Sequence, residues 1–127
     1  MADFEGTTTL SAPAIPGLTA AIRAAAAAAD DVDRQARFPI EAINAIKQAK
    51  LLSCGLPPEL GGRGYRVSEL AAIARALGAA CSAAGMVFAM HQTQALALAK
   101  YARFGPAAEL ARTISANEAL VASATTE

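Results

Sequence analysis

The stretch LLSCGLPPELGGRG, residues 51–64, decides how the rest of this chain is arranged. Pro57, Pro58, Gly61, Gly62 and Gly64 stand between two runs of helical periodicity, so the backbone there must bend sharply and pack closely. The expectation is an ordered elbow between helices, not a floppy linker.

A helical pattern leads into the elbow. Phe38-Pro39 opens it, because proline is tolerated at the first helical position, and Ile40, Ile43 and Ile46 are expected on one face with Leu51 beyond. Lys47 and Lys50 fall in its last turn, where positive charge complements the helix dipole. Before it, the run TAAIRAAAAAADDVDRQ after Leu18 predicts a first helix by propensity. Ile22 and Val32 bracket its alanine tract, Ala24 to Ala29, which favours a thin, close-packed helix over a low-complexity segment. Asp33, Arg34 and Arg37 read as a solvated link between the two helices with local ion pairs.

Beyond the elbow, Ser68 is a good N-cap, and Leu70, Ile73 and Leu77 follow at helical spacing, so a third helix is expected to end near Cys81. Ser82 can cap a long fourth helix, Ala83–Arg103, closed by Gly105-Pro106. Pro106 then starts a fifth, to about Ala116. The tail ALVASATTE changes character: Leu120, Val121, Thr125 and Thr126 look like the start of a strand, with none after it to pair with. The predicted fold is all-α, a bundle of about five helices with the start of a β-strand at the C-terminus. Residues 1–17, with Thr7, Thr8, Thr9, Pro13 and Pro16 and no periodicity, read as a mobile or loosely docked arm. Residues 18–118 read as the helical domain, and residues 119–127 as the start of something larger.

The chain's 127 residues suit one domain. Lys plus Arg and Asp plus Glu are 11 each, so there is no basic excess to neutralise phosphates and nucleic acid is excluded as a partner. The acidic start MADFEG lacks the positive region of a secretory signal, which makes the cytoplasm the expected location. The most apolar window, Ala76 to Met90, is shorter than a bilayer span and runs into His91 and Gln92. Hydrophobic residues make up 54% but much of this is alanine, which buries little area, so the domain should be only marginally stable alone.

Few residues suggest chemistry by themselves. Gly61, Gly62 and Gly64 lack the spacing of a phosphate cradle and read as structural, with Arg63 and Arg66 as surface charges beside them. Cys54 and Cys81 read as small buried hydrophobes, and Met86 and Met90 as core fillers. His91, the single histidine, has no partners at metal-ligand or triad spacing. A buried histidine hydrogen-bonded to a neighbour is one reading of it. No pair of carboxylates is spaced for acid–base work.

The segments VDRQARFPIEAINAIKQAKLL, GLPPELGGRG and SELAAIARALGAACSAAG together resemble the amino-terminal helical domain of the acyl-CoA dehydrogenase flavoprotein family. The resemblance runs from about Asp30 to Glu127, and Pro58 to Gly64, P-E-L-G-G-x-G, is its most specific part. It implies an FAD enzyme that removes hydrogens from the α and β carbons of an acyl-CoA thioester and passes electrons to a transfer acceptor, as a homo-oligomer when complete. The family's catalytic carboxylate lies later than these residues, so the chain as written would be incomplete, with no catalytic residue to name. The fourth helix helps line the family's acyl cavity, which gives Val87, Phe88, His91, Gln92 and Ala95, on one helical face, as substrate-binding candidates. Ser123 to Glu127 resembles the threonine-glutamate segment that opens the family's middle β-domain, giving Thr125 and Thr126 as flavin contacts. Flavin-dependent monooxygenases share this helical domain and remain an alternative. A non-catalytic helical interaction module is the other.

Overall fold

A computed structural model describes residues 14–101 and 104–124. The chain forms α1 (Leu18–Gln35), α2 (Ile40–Gln48), a short 3-10 turn at Pro58–Leu60, α3 (Val67–Ala80), α4 (Ser82–Tyr101) and α5 (Pro106–Asn117). Helix α1 packs along α2 and α3, α3 runs against α4, and α5 closes over the end of α4 and the 3-10 turn. The fold is all-α, with no strand among the described residues.

Helices α1 to α3 follow from their apolar stripes. Helix α1 buries Leu18, Ala21, Ala25 and Val32, at three-, four- and seven-residue steps, and the short alanines let α2 and α3 approach closely. Helix α2 buries Ile43 and Ile46 but leaves Ile40 46% exposed. Six residues of helix turn Ile40 about 120° away from Ile46, so the three isoleucines do not share the inward face as expected. Pro39 precedes α2 as its cap, and Lys50 lies outside the helix in left-handed backbone with φ 58°.

Ser68 is not the N-cap of α3. The Glu69 carboxylate accepts the Arg66 backbone N–H at 2.6 Å, which fixes Arg66 as the cap and draws Ser68 into the first turn. Leu70, Ile73 and Leu77 face inward. One extended residue, Cys81, separates α3 from α4, and the helices then fold back with Gly78 against Gly85, where an added Cβ on Gly85 would stand 2.5 Å from the Gly78 Cα.

Two further expectations meet a different outcome. Ile15 and Leu18 are buried with Ile43, Ile46 and Leu51, so packed chain begins before Leu18; the rest of the expected arm, residues 1–13, lies outside the described residues. Residues 119–124 form no strand, because a strand needs a partner and the Val121 N–H goes to a side chain instead. At the α1–α2 link, Arg37 pairs with Asp31 at 2.7 Å and with Glu41 at 2.8 Å, and its guanidinium holds the Glu41 carboxyl below the usual carboxylate range. These pairs are exposed to solvent and screened by it.

Candidate functional site

The elbow is buried continuously from Leu51 to Leu56, which is unusual for irregular backbone because its polar groups lose water. Side chains from distant elements replace that water. The Gln92 amide, from α4, donates to the Leu51 carbonyl at 2.9 Å and the Leu52 carbonyl at 3.2 Å. His91 Nε2 meets the Leu52 carbonyl at 2.7 Å. From the C-terminal cap of α5, the Glu118 carboxylate accepts the Leu52 N–H at 2.8 Å and the Ser53 hydroxyl. Other groups close locally: Tyr65 N–H donates to the Cys54 carbonyl, Gly64 N–H to the Leu56 carbonyl and Leu56 N–H to the Ser53 carbonyl.

His91 makes a second bond. Its Nδ1 accepts the Val121 backbone N–H at 3.0 Å, which requires that nitrogen to be unprotonated. The ring is therefore the neutral tautomer with hydrogen on Nε2, donating to Leu52. Burial pushes the His91 pKa below its usual 6.5, and it outweighs the Leu52 hydrogen bond and the Glu118 charge, both of which favour protonation.

Beside this network lies an apolar groove of about 290 Å³ between α4 and the tail. Phe38, Met86, Val87 and Met90 form one side, Leu120 to Ser123 the other, and Gln94 adds a polar group. Met86 is 64% and Met90 52% exposed, so neither fills the core as expected. Helix α4 is apolar on most of its circumference, and its buried face is set by Ala84, Phe88, His91, Gln92 and Ala95, which turns both methionines outward.

Of the five substrate-binding candidates, Val87 lines this groove. Phe88 and Gln92 border a smaller cleft of about 160 Å³ between α3 and α4, while His91 and Ala95 are fully buried. Gln92 Oε1 is buried without a hydrogen-bond partner. Thr125 and Thr126 lie outside the described residues. Glu118 was missed by sequence reasoning, although a buried apolar elbow signals that an acceptor must arrive from elsewhere.

Both cysteines are free and buried. Burial pushes the Cys54 thiol up to about 12, leaving almost no thiolate at neutral pH. Iodoacetamide at pH 8, followed by peptide mass spectrometry, should therefore leave Cys54 unlabelled until denaturant is added. Labelling in the native protein at the rate of a free thiol would contradict this burial.

The fold and elbow have a counterpart in known proteins: residues 19–116 match the model of the acyl-CoA dehydrogenase N-terminal domain. The chain belongs to the acyl-CoA dehydrogenase family. A curated relative, 3-sulfinopropanoyl-CoA desulfinase from Paraburkholderia xenovorans (strain LB400), is 29% identical over 82 residues. The match covers 64% of this chain and 21% of that enzyme, so the chain spans about a fifth of the curated relative's length. No solved structure gives a significant match. Members of the acyl-CoA dehydrogenase family generally bind FAD. No helix among the described residues is long and apolar enough to cross a membrane.

Proposed function

We propose that this chain is the amino-terminal part of an FAD-dependent acyl-CoA dehydrogenase-like oxidoreductase, and that its groove forms one wall of the acyl pocket. The observation that carries the reading is the groove itself: exposed methionines and Val87 on α4 face an apolar tail segment, in a chain of this family. A hydrocarbon chain laid there would cover Met86 and Met90, with polarizable side chains that adapt to its shape. Phe88, His91, Gln92 and Ala95 act from behind, fixing the rotation of α4. The relative's name specifies a CoA thioester, and a desulfination, so what it supports is the thioester class.

FAD fits less directly. A cleft of about 560 Å³ between α1 and the α3–α4 junction presents Asp30 and Asp33 beside Arg37, which suits no diphosphate. The flavin would instead meet this chain at Thr125 and Thr126, just past the groove-lining Ser123, with the rest of its contacts made elsewhere. When bound it supplies the acceptor for a hydride. The part played by the groove is to orient the substrate and exclude water from the acyl chain. Transfer of electrons to a separate acceptor and assembly as a homo-oligomer belong to the same reading.

The full-length protein should carry an oxidised-flavin absorbance spectrum that bleaches on anaerobic addition of a saturated acyl-CoA. Met90→Trp should shorten the groove and lower kcat/KM by about tenfold or more for each methylene it excludes, sparing short acyl chains. A protein that binds neither flavin nor acyl-CoA would overturn the reading in favour of an interaction module. Rapid oxygen consumption with a hydroxylated product would replace it with a monooxygenase.

A further inference from the structure

We infer that His91 is a positioning residue, a neutral clasp that pins the Leu120–Ser123 segment and thereby fixes one wall of the groove. The tail is held in few places. Among the described residues, its backbone is tied by Ala119 N–H to the Ile114 carbonyl at 3.3 Å and by Val121 N–H to His91 Nδ1 at 3.0 Å. The first tie sits at the end of α5. The second falls at the centre of the groove wall, between Leu120 and Ala122. Leu120 and Val121 add apolar packing from opposite sides, Leu120 on the central core and Val121 on the Leu56–Ile114 cluster, but apolar packing alone does not set register.

One ring therefore joins three elements: α4, on which it stands, the elbow through the Leu52 carbonyl, and the tail through Val121. This works only while the imidazole is neutral. Protonation at Nδ1 turns the acceptor into a donor facing the Val121 N–H, and the tie is lost. Among the described residues, the one charge acting on the ring is the Glu118 carboxylate at the end of α5; the elbow contributes the Leu52 carbonyl, and both favour protonation. Burial opposes and outweighs them, so the native ring binds its proton less readily than the free side chain does. The clasp is thus closed at neutral pH and opens only as the pH falls below His91's usual value of 6.5.

Glutamine separates the problem, since its amide oxygen can accept from Val121 and its amide nitrogen donate to Leu52 without titrating. The experiment is hydrogen exchange by mass spectrometry on the full-length wild type, His91→Gln and His91→Leu, following the peptide over residues 118–124 from pH 7 to pH 4, corrected for intrinsic exchange. Wild type should lose protection as the pH falls. His91→Gln should stay protected with a flat profile, and His91→Leu should exchange about tenfold faster throughout. Wild-type protection that is flat with pH, or the same acid transition in His91→Gln, would overturn the clasp, whether or not His91→Leu folds. The consequence for a ligand rests on the acyl reading: with octanoyl-CoA, His91→Leu should raise KM while leaving kcat nearly unchanged, and His91→Gln should restore KM. A wild type that binds no octanoyl-CoA would sink the acyl reading, while the exchange profiles decide the clasp by themselves.

Discussion

Gly62→Ala should destabilise the helical domain by more than about 4 kcal/mol, the upper end of what single substitutions cost, because the backbone itself is obstructed. A Cβ built on Gly62 would lie 1.9 Å from the Leu56 carbonyl oxygen and 2.6 Å from the Leu56 Cβ. That oxygen cannot retreat, because it accepts the Gly64 N–H at 2.8 Å inside the tightest turn of the elbow. Gly64→Ala is the matched control. Gly64 has φ 67°, so alanine there takes on left-handed strain, but its Cβ would meet only Pro58 Cδ at 3.4 Å. The cost should be about 1–2 kcal/mol, the left-handed penalty alone. Urea titration of the soluble variants, with exchange across residues 51–64, checks the order. Equal losses at the two positions would mean that the elbow is not closed as tightly as the Leu56–Gly62 approach requires.

This elbow was legible in the sequence because proline and glycine act locally; the first three helices were legible because their stripes repeat or their propensity is high, and the last two because Ser82, Gly105 and Pro106 mark their ends. Leu70, Ile73 and Leu77 could face only one way once α3 formed. The misses fall where local pattern leaves a choice. The rotation of α4 was such a case: with apolar residues nearly all round, a face carrying His91 and Gln92 gave no weaker a core than one carrying Met86 and Met90. What decides is the elbow's demand for a donor pair at Leu51 and Leu52, which histidine and glutamine meet and methionine does not. Ile40 was misplaced by grouping three isoleucines without following the helical angle. The tail's β-propensity was real but a strand also needs a partner, and among the described residues Val121 finds His91 instead. Glu118 was invisible for the same reason: its partners stand 65 and 66 positions away.

Glu118→Ala is expected to cost about 2–6 kcal/mol, because it leaves two buried donors, the Leu52 N–H and the Ser53 hydroxyl, at about 1–3 kcal/mol each. Glu118 is 3% exposed and its carboxylate has no cationic partner among the described residues; both oxygens are spent on these donors. Glutamine keeps one acceptor and turns an amide N–H toward the other donor, so Glu118→Gln should lose roughly half as much. Backbone strain gives a third point on the scale. Glu118 ends α5 in the left-handed region with φ 47°, so Glu118→Gly loses both hydrogen bonds but recovers about 1 kcal/mol that any other side chain forfeits. The stability order should therefore be wild type, then glutamine, then glycine, then alanine, read from denaturant midpoints at pH 7. Glycine more stable than glutamine would show that dihedral strain, not hydrogen bonding to the elbow, dominates at this position. The loss should also reach the groove, since Glu118 is where α5 hands the chain to Leu120: alanine there frees the start of the segment that walls the groove opposite Met86 and Met90. Faster exchange at residues 118–124 should then accompany the lost stability, and the Ser53→Ala variant, which removes one donor and leaves the Leu52 bond in place, should show neither to the same degree.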